Sequence, residues 1–159
     1  MSKFKKKKEG GQPAISTASL PDIVFMLLFF FMVTTVMREV TLKVEIKRPK
    51  ATEVNKLQRK SLVSYIYIGE PKQSFQGQFG TADRIQLNDA FATKRDIIAF
   101  VEAEREQRDP AEVPLMTFSF KVDEEAKMGV VTDVKQELRK ANALKINYST
   151  YKTDDIFKD

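Results

Sequence analysis

The stretch Asp22-Ile-Val-Phe-Met-Leu-Leu-Phe-Phe-Phe-Met-Val-Thr-Thr-Val-Met37, preceded by Leu20-Pro21, decides the architecture of this chain. The fifteen residues from Ile23 to Met37 carry no charge, but at about 1.5 Å per residue they fall short of a hydrocarbon core roughly 30 Å thick. The uncharged residues 14–20 extend the run toward the N-terminus. The sequence therefore predicts a single transmembrane helix over residues 18–38, with Asp22 inside the membrane near its N-terminal side.

Asp22 has two interpretations. An ionised carboxylate in hydrocarbon costs several kcal/mol, so an intramembrane aspartate stays protonated, faces a polar path or pairs with a partner, and such residues are commonly functional. Alternatively, Pro21 occupies the first helical position and Asp22 lies in the first turn, where both residue types are favoured. The residues alone leave both interpretations open.

The charge distribution predicts the orientation of the chain. The formal charge is +5 and the isoelectric point is near 9.3, but five lysines and one glutamate give the first 19 residues +4 and leave only +1 for the remainder. Lysines beside a span stay in the cytoplasm, so residues 1–17 are predicted as a cytoplasmic basic tail and residues 38–159 are predicted to lie on the far side of the membrane. No recognition motif accompanies the lysines, which argues against nucleic-acid binding.

Residues 39–60 are predicted as a strand and linker that follow the membrane. Apolar residues alternate with polar ones, and this period of two is typical of a strand with one apolar face formed by Val40, Leu42, Val44 and Ile46. Residues 50–60 are mostly polar and resemble a solvated linker. An unpaired strand seeks a partner, so we expect this one to pair with a second copy of the chain.

Residues 61–159 are predicted to form a small α+β domain. Its predicted strands are 62–68, 84–87, 115–122 and 144–151; its helices begin near Thr93 and Gly129, and residues 70–84 form a loop. Asn142 is expected to close the second helix in a left-handed conformation. The fold class is a mixed sheet of about four to five strands with two helices on one face, preceded by the transmembrane helix.

Several kinds of chemistry are not expected. The sequence has no histidine, no cysteine and no clustered pattern of metal ligands, so catalytic triads and zinc sites are excluded and the chain is not expected to be an enzyme. The acidic run Asp123-Glu124-Glu125 is interpreted as a solvated turn rather than an ion site.

The span resembles that of the ExbD/TolR family of biopolymer-transport proteins. In that family an aspartate precedes an apolar run containing Leu-Leu and ending in Phe-Met-Val/Ala-Thr, and here Asp22, Leu27-Leu28 and Phe31-Met32-Val33-Thr34 stand at the same offsets. Weaker likenesses extend over the domain, at residues 40–49, 121–123, 138–141 and 145–146.

The resemblance implies a subunit of a proton-driven motor that energises TonB-dependent transport across the outer membrane, and it favours the functional interpretation of Asp22. Asp22 would alternate between protonated and ionised forms. Met26, Phe29 and Val33 would pack against a ring of ExbB/TolQ-like multi-span subunits, and Thr34 and Thr35 are candidates for a polar path, with bonding to the helix backbone as the alternative. The implied partners are a second copy of the chain, the ring subunit, a TonB-like energy transducer and, in TolR-like members, peptidoglycan. No cofactor is implied beyond the transported proton.

Two other functions remain compatible with the residues. The chain could be a passive single-pass anchor that carries a periplasmic interaction domain, with Asp22 a residue of the helix start. It could also be a cleaved and exported binding domain, although no small-residue cleavage site precedes Arg38.

Overall fold

The structure is a computed structural model that describes residues 10, 17, 19–34, 39–57 and 59–153. The chain separates into two compact units, Met1–Glu39 and Val40–Asp159. The first contains helix α1, Ser19–Thr34, which begins two residues before Pro21 and contains no glycine. The predicted transmembrane helix covered residues 18–38; of these, Ala18 and residues 35–38 lie outside the described part, as does most of the predicted basic tail.

The second unit is built on a five-stranded mixed sheet with the strand order β4-β3-β2-β5-β6. Strands β2, β5 and β6 run parallel, whereas β3 and β4 are antiparallel to their neighbours. The strands are β2 (Val63–Gly69), β3 (Arg84–Leu87), β4 (Ala90–Ala92), β5 (Thr117–Val122) and β6 (Ile146–Tyr148). The predicted mixed sheet is confirmed, but β4 was not foreseen, and the single strand predicted over 144–151 ends earlier, at Tyr148.

Helices α3 (Asp96–Glu106) and α4 (Met128–Lys140) cover one face of the sheet and form the core with it. Because apolar residues recur every three to four positions, each helix buries one stripe, which in α4 consists of Val131, Val134 and Leu138. The core centres on Ile66 and Phe120, both fully buried. Asn142 follows α4 with φ of 54°, which is the left-handed conformation expected from the sequence.

The loop predicted over residues 70–84 contains a further helix, α2 (Gln73–Phe79). The prediction was wrong because the segment is short, includes Gly77 and lacks a helical apolar period. Packing stabilises it instead: the rings of Phe75 and Phe79 lie 5.8 and 4.6 Å from that of Phe91 in β4. Since Ala92 packs against the core and neighbouring strand residues point to opposite faces, Phe91 and α2 lie on the face away from α3 and α4.

Residues 41–51, called here the crossing segment, run past Gln86 of β3 and then past the C-terminal ends of β2 and β5. The predicted strand over 40–46 is not a ladder strand: within it only Val44 forms a β-bridge, to Pro71, and Val44 is 1% exposed. The predicted linker was wrong at its start, because β1 (Lys50–Ala51) pairs in parallel with β7 (Tyr151–Lys152). The segment therefore belongs to the domain unit rather than leading to it.

Four backbone N–H groups of the crossing segment, at alternate residues, donate to the domain. The acceptors are Asp89 Oδ1 for Thr41 (2.8 Å), Gln86 Oε1 for Lys43 (2.8 Å), the Glu70 carbonyl for Glu45 (2.8 Å) and Asp123 Oδ1 for Lys47 (2.6 Å). The period of two in the sequence therefore corresponds to an alternation of bonded N–H groups along the segment. Most of the acceptors, however, are side chains and not the carbonyl groups of a neighbouring strand.

Gln86 holds the centre of this contact. Its side chain is fully buried, and beyond accepting from Lys43 it donates through Nε2 to the carbonyl oxygens of Thr41 (2.8 Å) and Asn88 (2.7 Å). Because both the oxygen and the nitrogen of this buried side-chain amide are hydrogen-bonded, Gln86 fixes the position and register of the crossing segment.

Gly69, the last residue of β2, allows the crossing segment to come close to the sheet. A Cβ atom built there would overlap the backbone carbonyl oxygen of Glu45 and lie 3.3 Å from Cβ of Asp123. The close approach of two backbones is the reason for glycine at this position.

Replacing Gly69 by alanine is expected to lower the free energy of unfolding by about 1–3 kcal/mol, because backbone atoms must move to admit the methyl group. The matched control is Gly77→Ala, where no atom lies within 4 Å of the added Cβ and helix propensity should stabilise the protein by about 0.5–1 kcal/mol. Urea unfolding of the full chain in detergent measures both, and equal effects would contradict the close contact.

Replacing Gln86 by leucine should lower the free energy of unfolding by about 1–3 kcal/mol, because the amide of Lys43 and the carbonyl of Thr41 lose their buried partner. Gln78→Leu on the exposed side of α2 is the control and should change stability by less than about 0.5 kcal/mol. Equal stability of Q86L and wild type would show that Gln86 does not hold the crossing segment.

Candidate functional site

Asp22 lies in the first turn of α1, one residue after Pro21, and is the single charged residue of this 16-residue helix. Proline is tolerated there because the first helical N–H groups lack an intrahelical acceptor, and a carboxylate is favoured because those N–H groups carry positive partial charge. The expectation that Pro21 occupies the first helical position was wrong, because α1 begins at Ser19 and Pro21 is its third residue. Asp22 nevertheless lies in the first turn, and this position is compatible both with a residue of the helix start and with a functional role.

The predicted packing face lies on one side of α1. Met26, Phe29 and Val33 follow Asp22 at offsets of four, seven and eleven, which place them on the same helical face. Each of them is exposed, and so is every other residue of α1. Apolar side chains on all sides of one helix are typical of an apolar environment or a protein partner.

Thr34, one of two residues predicted as a candidate polar path, bonds to its own helix. Its Oγ1 donates to the carbonyl oxygen of Phe30 (2.8 Å) and lies 3.3 Å from that of Phe31. This is the backbone bond given above as the alternative for Thr34. Thr35 lies outside the described residues.

Among the residues that the structure describes, no helix is both long enough and apolar enough to cross a bilayer.

The residues predicted as a dimer strand differ in their burial. Val44 is buried, Val40 and Ile46 are half-buried, and Leu42 is 37% exposed. In the single chain their segment contacts its own domain, and pairing with a second copy stays a prediction. These residues belong to the second unit and Asp22 to the first.

Sequence reasoning missed two groups in the domain. One is Gln86, since no pattern marks a buried amide in a strand of four residues. The other is Lys121, which lies on β5 with its ammonium 4.2 Å from the ring centre of Tyr65. Burial, and then the charge of Arg48, lower the pKa of Lys121, whereas burial and the nearby Tyr65 and Asp89 raise the pKa of Tyr67.

The described residues contain no group of three or more histidine, cysteine, aspartate or glutamate side chains placed to hold a metal ion. Of the acidic run predicted as a solvated turn, Glu124 and Glu125 are exposed. Asp123 is half-buried, and its carboxylate accepts from the backbone N–H groups of Lys47 and Glu125. Asp123 therefore has a structural role in the turn, as an acceptor for the crossing segment.

Comparison with known proteins gives one positive result. A family profile described as biopolymer transport protein ExbD/TolR matches residues 8–153. No curated protein matches the sequence. The profile covers α1, the crossing segment and the whole sheet, so the resemblance found in the span extends over the domain as well, and this chain belongs to the ExbD/TolR family of biopolymer-transport proteins.

Proposed function

We propose that this chain is a motor subunit that uses the proton-motive force to energise TonB-dependent transport across the outer membrane. The family functions in energy transduction for biopolymer transport and consists of inner-membrane proteins that are generally associated with ExbB/TolQ and TonB/TolA partners. The observation that supports the specific role is the lone carboxylate of Asp22 on an otherwise uncharged apolar helix.

Asp22 is the group that would respond to the proton gradient. Its neutral acid tolerates apolar surroundings that the ionised form does not, so taking up or releasing a proton changes where the helix is stable. A proton moving through a membrane potential of about 150 mV releases roughly 3.5 kcal/mol. That free energy is sufficient to bias a helix between two positions by more than a hundredfold.

The crossing segment would transmit this bias to the domain. The chain that leaves α1 enters the domain through residues 40 and 41, and the next ten residues bond to β3, to the ends of β2 and β5, and to β7. A force on the chain at Val40 is therefore distributed over the sheet instead of being lost in a flexible linker. The domain would pass the motion to a TonB-like partner.

Asparagine in place of Asp22 should abolish energy-dependent outer-membrane uptake in cells whose only copy carries the change, because the amide keeps the size but cannot carry a proton. The matched control is Asp133→Asn, which removes a carboxylate from a partly exposed ion pair with Lys94 and should leave uptake unchanged. Membrane level and co-purification of the ring subunit are measured alongside.

Uptake at the wild-type level in D22N would contradict the proposal. It would instead favour the second candidate function, a passive single-pass anchor. The position of Asp22 in the first turn of α1 is the observation that supports that alternative, since a carboxylate there stabilises the helix without any role in transport.

A cysteine at Thr41 should cross-link two copies of the chain if the residues from Val40 to Ile46 lie at a dimer contact. The chain has no native cysteine, and Thr41 is exposed, so any disulfide would come from the introduced thiol. Thr132→Cys on the exposed side of α4 is the control. Consistently monomeric T41C in oxidised membranes, or equal cross-linking of both variants, would count against the dimer.

A further inference from the structure

A cavity of about 460 Å³ lies on the face of the sheet that is turned away from α3 and α4. Its floor is formed by outward-facing residues of β2, β5 and β6, among them Tyr65, Lys121 and Asn147, and residues 54–57 and Lys60 form its wall. Arg48 of the crossing segment closes one side. This space is called the basic cavity below.

The described lining of the basic cavity is positively charged. Four cationic side chains line it, from Arg48, Lys56, Lys60 and Lys121, and none of the described residues in its lining is an aspartate or glutamate. Its neutral lining offers hydroxyl and amide groups from Ser119, Asn147, Ser149 and Thr150. Such a surface raises the local concentration of anions and provides donors for their oxygen atoms.

Lys121 lies on the floor of the basic cavity. It is half-buried, and its Nζ atom lies 4.2 Å from the ring centre of Tyr65 and 5.2 Å from that of Tyr67. Among the described residues no carboxylate lies within salt-bridge distance of it. Burial and the repulsion of Arg48 lower the pKa of Lys121. Both effects disfavour the charged ammonium, and an anion bound in the cavity would offset them.

Arg48 is held in place beside the basic cavity. Its guanidinium carbon lies 4.0 Å from the ring centre of Tyr151, and Nη1 donates to Ser149 Oγ at 3.3 Å. Because stacking and one hydrogen bond already fix the plane of the guanidinium, its other N–H groups can bind an oxyanion with little further ordering.

We propose that the basic cavity binds a phosphate group. Four cations and several neutral donors suit an anion with about two charges and several acceptor oxygens better than a single carboxylate. The volume exceeds that of one phosphate ion, and Val54, Leu57 and Tyr65 give the remaining wall apolar surface. The ligand class is therefore inorganic phosphate or a small phosphate ester. The inference is independent of Asp22 and of proton coupling.

Calorimetric titration of the full chain in a neutral detergent tests the proposal, with inorganic phosphate, glycerol phosphate and acetate as separate probes. Phosphate should bind saturably and at least tenfold more tightly than acetate. Tighter binding of glycerol phosphate would identify an ester as the ligand, and equal binding would identify the free ion.

The variant Lys121→Met should weaken phosphate binding at least tenfold. The matched control is Lys94→Met, which removes a lysine on the helical side of the sheet, where it pairs with Asp133, and should leave binding unchanged. Because K121M alters a half-buried position, Lys56→Met in the exposed wall serves as a second variant and should weaken binding about threefold. Unsaturable binding, acetate as tight as phosphate, or equal losses in K56M and K94M would overturn the proposal.

Discussion

The structure of the domain depends on the hydrogen bonds of the crossing segment. This segment has the sequence pattern of a strand, but most of its backbone N–H donors bond to side chains instead of to a neighbouring strand. Residues 41–51 pass β3 and the ends of β2 and β5, where a backbone N–H that is shielded from water without an acceptor would cost free energy. The Gln86 amide, the Asp123 carboxylate and the Glu70 carbonyl accept those protons, and Gly69 leaves room for the approach. These groups act together with the buried Val44 and the pairing of β1 with β7 to hold the N-terminal part of the domain against its core.

In the proposed function, this constraint is what couples the helix to the domain. The ExbD/TolR family transduces energy for biopolymer transport, and α1 carries one carboxylate on an apolar helix. In the proposed function, proton uptake at Asp22 does work outside the helix only if the chain that follows is attached firmly to the domain. The crossing segment is hydrogen-bonded to the domain and also brings Arg48 to the basic cavity, so the proposed anion site and the proposed mechanical connection share one element.

The sequence predicted those parts whose pattern is local and repeated. Strand β5 and helices α3 and α4 carry apolar residues at regular spacing, β2 is rich in β-branched and aromatic residues, and Asn142 marks the end of α4. The sequence pattern did not predict contacts between residues that are far apart in the chain. The backbone N–H of Lys43 donates to Gln86 and that of Lys47 to Asp123, which are 43 and 76 residues away in the sequence. Helix α2 and the basic cavity were missed for the same reason, since Phe91 and Arg48 meet their partners only in the folded domain.

Hydrogen exchange at the backbone amides of Lys43, Glu45 and Lys47, measured in the full chain in membranes, tests most directly the claim that the crossing segment and the sheet form one body. The account predicts that these amides exchange as slowly as those of β2 and β5, because they open only when the sheet does. Fast exchange at all three, with the sheet still protected, would show a loose tether and contradict the transmission of force through this segment.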